Sequence, residues 1–370
     1  MSTAALMSPE KSNPSSSCSP WLMLQPVYEA GATCTAATTL TYKFYNLAEN
    51  RVVTLWDPPI PGDLMKFRGS SGGGWLSLVQ RRTRDLFLYN PIARRHIKLP
   101  PFYGQHDYLA LKKCILSCSP DSEKCVAVSL IHFANSMAVC CPLSSDKWTW
   151  FGTCSGSSNY IDCVYSTSQQ ILFALTDSFQ LEAWDLTISS PQLIRIMGEF
   201  SSILHRKENL TKKELLQSRD DLTCWYSYHL VVAGEDLLVL TQYTLLSVDS
   251  DGLYVEYNRP FELPTVTIDF DVHRYDPEDG DLKYVEGSCL GGWALFVGIH
   301  SHSVALRAPE LKPNSIYFTD PFASSINHGN YDIGIFSYED KTVSPCYYPC
   351  DPPNLKPIFP PPIWFFPSSF

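Results

Sequence analysis

The residues most able to do chemistry are few and scattered. His300-Ser301-His302 puts two imidazoles on one side of an extended backbone, the spacing at which two ring nitrogens can share a metal ion. No third ligand accompanies them, so a turn is the expectation. Asp276 to Asp281 (DPEDGD) is acidic and contains a glycine, as calcium loops do. The glutamate that closes a 12-residue loop is missing, because position 287 is Gly, and a hairpin turn is expected instead. Gly69 to Gly74 (GSSGGG) is glycine-rich but lacks the Lys-Ser/Thr ending that grips phosphate. The chain carries no GxSxG, HExxH, P-loop or dinucleotide fingerprint. No catalytic, cofactor-binding or metal-ligating residue is therefore assigned, no cofactor is implied, and the expectation is a protein that is not an enzyme.

The 13 cysteines form no CxxC pair, and Cys114/Cys118 and Cys346/Cys350 have no His pair at zinc-finger distance. Cys114, Cys125, Cys140, Cys141 and Cys163 lie in or beside apolar runs, where Cys acts as a small hydrophobe. The first residues lack the basic and apolar regions of a secretory signal. Reduced thiols in a cytoplasmic or nuclear protein are expected, with an organelle as the alternative. No apolar run reaches the roughly 18 residues that span a membrane.

The net charge is −10, which argues against nucleic acid, whose phosphates need a surplus of Lys and Arg. The charge is uneven: residues 235–286 hold 13 acidic and 3 basic groups. These are either solvated acidic turns or a face for a basic partner.

What positions these residues is a long series of short strands. Gly69 to Pro101 predicts a strand at Trp75–Val79, a polar turn, a return at Leu86–Tyr89 stopped by Asn90-Pro91, and a further strand around Ile97. Tyr42–Leu47 and Val52–Trp56 form another hairpin. Similar units follow over residues 113–151, 161–185, 228–257 and 266–338. About twenty strands grouped in fours repeat every 45–50 residues or so, the range of propeller blades. The reading is all-β: a single closed β-propeller of about five to seven four-stranded blades, with a β-sandwich as the alternative. Residues 1–20 are expected to be disordered. Residues 21–350 form the propeller, interrupted at 201–223 by a charged insertion with the Leu spacing of a short amphipathic helix. Residues 351–370 are a Pro- and aromatic-rich tail, expected to lie extended against the propeller with Trp364, Phe365 and Phe366 buried.

The order of motifs resembles one family. Pro20-Trp21-Leu22-Met23-Leu24, Tyr45 to Asn50, Gly69 to Leu76, and Leu86 to Pro91 followed by Leu99-Pro100-Pro101 are similar to motifs of the plant-specific KIB-type, kelch-related β-propellers. So are Leu290 to Gly298, Lys312 to Asp320, and Pro361 to Phe365. The resemblance implies a propeller that recognises a protein target or signalling partner, commonly behind an F-box that docks a ubiquitin-ligase adaptor. Only 20 residues precede Trp21, too few for an F-box. The expectation is a monomeric protein-interaction module that does not bind a Skp-type adaptor. A truncated gene model, an F-box-free paralogue and an organelle-targeted relative remain open. The competing function is a propeller enzyme with its site in the central channel.

Overall fold

The protein is described by a computed structural model over residues 19–24, 27–29, 39–57, 65–80, 83, 85–101, 111–131, 135–154, 158–186, 190–200, 224–245, 266–286, 290–319, 332–346 and 362–367. Every regular element among the described residues is a strand. The first sheet holds β1 (Trp21–Met23), β2 (Val27–Glu29), β3 (Thr39–Asn46) and β4 (Arg51–Asp57). The second is β5 (Met65–Ser71), β6 (Trp75–Gln80), β7 (Leu86–Asn90) and β8 (Arg95–Lys98). The third is β9 (Leu111–Leu116), β10 (Ala127–Ile131), β11 (Met137–Cys140) and β12 (Thr149–Phe151). The fourth is β13 (Tyr160–Ser166), β14 (Ile171–Thr176), β15 (Gln180–Asp185) and β16 (Gln192–Glu199). The fifth is β17 (Cys224–Ala233), β18 (Asp236–Leu245), β19 (Val266–Asp276) and β20 (Asp281–Tyr284). The sixth has five strands: β21 (Ala294–Val297), β22 (Val304–Leu306), β23 (Ser315–Phe318), β24 (Gly334–Ser337) and β25 (Thr342–Pro345). The last strand, β26 (Ile363–Phe365), returns to the first sheet and pairs antiparallel with β1, Leu22 opposite Trp364.

Each sheet is a blade, and the blades number six. Successive blades meet along one edge strand each, with β26 against β5, β5 against β9, β9 against β13, β13 against β17 and β17 against β22. These edges form the inner wall of the ring. An apolar cluster fills each of the six gaps. Phe44 and Phe365 meet Phe67 and Leu76 between blades one and two; Trp75 and Leu88 meet Cys114 and Leu116 between two and three. The next gaps hold Val128 with Leu172, Phe173 with Val239, and Phe270 with Phe318. The sixth closes the ring, with Tyr45 and Trp364 against Phe296 and Tyr317, and with Leu47 and Ile333 both packed against the cluster. A blade covered on both faces has no solvent side, so its middle strands read as continuous apolar runs. AVSLI of β10 and ALFV of β21 are buried at every position.

The 351–370 segment contributes more than a covering. Ile363–Phe365 is the inner strand of the first blade, and Trp364, Phe365 and Phe366 are fully buried. The ring is therefore closed by hydrogen bonds between the two ends of the described chain. At the N-terminal end, residues 1–18 lie outside the described residues, whereas Ser19 is buried and its hydroxyl bonds the Glu310 carboxylate. The proposed helix at 201–223 also lies outside the described residues. So do residues 246–257 of the unit expected over 228–257. Two strands absent from the sequence reading, β16 and β25, complete the fourth and sixth blades.

Candidate functional site

The axis of the ring is where polar side chains converge. The segment between β21 and β22, Gly298 to Ser303, reaches across it. Ser70 N–H donates to His300 O at 3.0 Å, and His302 N–H donates back to Ser70 O at 3.1 Å. Ser301 thereby forms a parallel bridge with Ser70 of the second blade. The His300 ring bonds Lys112 O of the third blade through Nδ1 at 2.6 Å. A carbonyl only accepts, so the imidazole proton sits on Nδ1. The Ser301 hydroxyl accepts from Trp364 N–H at 3.0 Å, and the indole N–H of Trp364 donates to Val297 O at 3.1 Å. One short segment of the sixth blade thus ties the first, second and third together.

Its start depends on a glycine. A Cβ placed on Gly298 would stand 2.2 Å from Thr319 Oγ1, well inside contact distance. A second glycine seats the closing strand: Gly74 has φ 75° and donates its N–H to Phe366 O at 2.6 Å. Of the glycine-rich run, Gly69 to Ser71 end β5 in register with Ser77 to Trp75, and Gly72 to Gly74 make the turn into β6.

Beside this plug lies a buried ionic network across blades three to five. Lys113 Nζ on β9 contacts Asp162 Oδ1 on β13 at 2.8 Å and donates to Cys163 O at 3.3 Å. The other carboxylate oxygen of Asp162 accepts from Leu230 N–H on β17 at 2.8 Å. His229 Nε2 bonds Gln242 Oε1 at 2.9 Å, and Gln242 Nε2 donates to Thr267 Oγ1 at 2.8 Å. Burial alone raises the Asp162 pKa, but Lys113 and Lys112 overcome it and hold the carboxyl below its ordinary value. Burial pushes His229 down to about 4, against the pull of Asp162. Burial also brings His302 to about 4, helped by Lys113 and opposed by Asp162. Lys112, whose amine bonds Ile161 O, is lowered by burial against the attraction of Asp162. Both histidines are thus neutral at pH 7.

A lysine, a carboxylate and neutral imidazoles could in principle move protons. Here, however, each Asp162 oxygen already accepts a bond from a different blade, and His229 is fixed by Gln242. The arrangement clamps three blades together. Among the described residues, no three His, Cys, Asp or Glu side chains lie close enough to share a metal ion. His300 and His302 are structural parts of the plug. Asp276 to Asp281 is a hairpin turn: Asp276 caps Glu278 N–H at 2.9 Å, and Gly280 N–H returns to Asp276 O at 2.8 Å. Lys283 neutralises its carboxylates from across the hairpin. The sequence reading passed over Lys113, Asp162 and His229. The one available signal was charge placed inside strand-like apolar runs, as in LKKCIL of β9.

A second concentration of polar and aromatic groups lies on the fifth blade, whose first three strands are the longest among the described residues. The register places Tyr226, Tyr243 and Asp269 in one row, with Asp271 and Tyr284 on the same face. Tyr243 donates to Asp271 Oδ2 at 2.6 Å, and Tyr284 to Oδ1 at 3.4 Å. Trp225, Tyr226 and Tyr284 remain 45%, 39% and 45% exposed. This blade carries most of the acidic excess noted in residues 235–286.

The fold defines a class: a six-bladed β-propeller whose axis is crossed by a segment of its own chain. The KIB1-4 beta-propeller family matches residues 44–337, and the chain belongs to that family. The match begins within β3 and ends at β24, so the strands that close the ring, β1 and β26, fall outside it. No curated protein matches the sequence. Among the described residues, no helix is long and apolar enough to cross a membrane.

Proposed function

We propose that this propeller is a non-enzymatic protein-interaction module, and that its target is a basic protein segment bound at the acidic, aromatic face of the fifth blade. The observation that carries the reading is an axis crossed by the chain's own segment. Gly298 to Ser303 occupies the place where a propeller enzyme would admit substrate, and the charged groups beside it are engaged with one another. Recognition then falls to the outer surface of a rigid ring. Exposed Tyr226 and Tyr284 beside Asp269 and Asp271 suit a Lys- or Arg-bearing segment. Aromatic faces attract cations, and carboxylates complete the contact. The family's use as a recognition scaffold supports the same reading.

The test presents the full chain to a peptide library. Enrichment of basic sequences, weakening with added salt, supports the proposal. Tyr226→Ala and Tyr284→Ala should each lower that affinity several-fold, with unchanged melting curves. Enrichment of neutral or acidic sequences, or affinity indifferent to both variants, overturns it.

A further inference from the structure

The third blade carries four thiols on one face. Cys114 on β9 and Cys140 on β11 are buried in its apolar gap with the second blade, together with Cys125 just ahead of β10. Cys118 stands at the end of the same row and is exposed. The β9–β10 ladder pairs Ile115 with Val128 and Leu116 with Ala127. Extending it, Ser117 N–H donates to Val126 O at 2.9 Å, and the next pair outward is Cys118 opposite Cys125.

That pair is not joined through the backbone, because Cys125 N–H turns to Ser122 O at 3.0 Å. Directly opposed residues of this non-hydrogen-bonded kind have Cα atoms about 4.5 Å apart and side chains on one face. A disulfide accepts Cα separations from about 4.4 Å upward. The Cys125 sulfur already lies 3.2 Å from Cys118 O, and the Cys118 side chain is close enough to act on the Cys125 thiol. All four thiols are free, and no three of them gather as a metal site would require.

We propose that Cys118 and Cys125 are a peroxide-oxidisable dithiol, with exposed Cys118 as the sulfur that peroxide oxidises first and buried Cys125 as the resolving one. The Cys118 thiolate attacks a hydroperoxide: an S–O bond forms, the O–O bond breaks, and the leaving oxygen takes a proton as water or alcohol. The Cys125 sulfur then attacks the sulfenic sulfur. An S–S bond forms, the S–O bond breaks, and hydroxide leaves with the Cys125 proton as water. Two thiols lose two electrons and one peroxide is reduced. The disulfide would lock the turn at Ser119–Lys124 at the rim of the third blade. A dithiol reductant reverses it by exchange.

The experiment uses the full chain, reduced and then treated with dilute hydrogen peroxide under native conditions. Free thiols are alkylated and the protein is digested. Trypsin cuts after Lys113, Lys124 and Lys147, so Cys118 and Cys125 fall on different peptides. Fragmentation then distinguishes Cys118 from Cys114 and Cys125 from Cys140. The expected product is a 118–125 cross-link, two hydrogens lighter than the reduced peptides and lost with dithiothreitol. It should vanish in Cys118→Ser and in Cys125→Ala, and persist in Cys141→Ser. Cys118→Ser changes an exposed position, so its folding is secure even if Cys125→Ala proves unstable. Oxidation of Cys118 to sulfinic acid with no cross-link, linkage of Cys118 to Cys114 or Cys140 instead, or thiols that stay fully alkylatable would overturn the proposal.

Discussion

Lys113 and Asp162 face each other at 2.8 Å across the boundary between the third and fourth blades, with side chains only 2% and 5% exposed. The carboxylate reaches a third blade through Leu230 N–H. One ion pair thus joins three sheets at the inner wall. Such a pair adds little over a well-packed apolar substitute, but removing one member leaves the other charged and buried.

The expected effect of mutation follows from that asymmetry. Asp162→Ala strands both the Lys113 ammonium and the Leu230 amide, and should cost about 3–5 kcal/mol. Adding Lys113→Met to Asp162→Ala should recover part of that loss. Urea midpoints of the two single variants and the double variant measure it. Losses that simply add would show that the two side chains are not coupled.

The same region sets an acid limit. His229 has a folded pKa of about 4 against an ordinary value of about 6.5. A depressed folded pKa means the unfolded chain binds the proton first. The neutral histidine therefore contributes stability in full above about 6.5, and that contribution is lost as pH falls toward 4. The shift corresponds to about 3 kcal/mol from His229, and His302 acts in the same direction. Asp162, held below its ordinary value, adds a loss at still lower pH. Melting temperature should decline between about pH 6.5 and 4, and His229→Gln should flatten part of that decline. A profile level over this range would show that the histidines are not buried neutral.

The closing strand offers another test. Trp364 is fully buried, pairs with Leu22 and bonds both Val297 O and Ser301 Oγ. Trp364→Ala should cost about 3–5 kcal/mol through cavity formation, with the lost hydrogen bond added. Because the residue closes the ring, amide exchange should rise first in β1 and in the plug. Exchange rising uniformly, or only in distant blades, would contradict closure by this strand.

The ring was legible because most blades announce themselves with apolar runs between Gly, Pro and Asn turns, as in WLSLVQ and LFLYN of the second blade. What escaped has physical reasons. QLIRIMGE of β16 is exposed at its first five positions, so it shows no buried face for periodicity to detect. Trp364 to Phe366 was recognisable as buried, but the pairing partner of Ile363–Phe365 lies at the other end of the described chain, and a three-residue strand carries no signal of that distance. Lys113 looks like any surface lysine. Only its register opposite β13, set by the closure of the ring, turns it inward. The plug was seen as a turn, and nothing local to His300-Ser301-His302 says that it crosses the axis.

Gly298 allows the plug to be tested by sterics alone. Its backbone is not in the left-handed region, so alanine there meets no conformational penalty beyond the ordinary. The added Cβ, however, would lie 2.2 Å from Thr319 Oγ1 and 3.2 Å from Ser301 Oγ, while the Thr319 Cβ stands at 3.5 Å, an ordinary contact. Gly298→Ala must displace Thr319 or lift the segment from the axis, costing about 1–3 kcal/mol as overpacking does. Thr319→Ala removes the offending oxygen and leaves the contact at ordinary distance. The double variant Gly298→Ala/Thr319→Ala should therefore be more stable than Gly298→Ala alone, a coupling of opposite sign to the usual addition of two losses. Denaturant midpoints of the four proteins close the cycle. Exchange protection at Ser70 N–H and His302 N–H, the two bonds across the axis, should fall in Gly298→Ala and return in the double variant. If the losses add and protection stays low, the clash with Thr319 is not what makes glycine necessary, and the plug is held in place by some other contact.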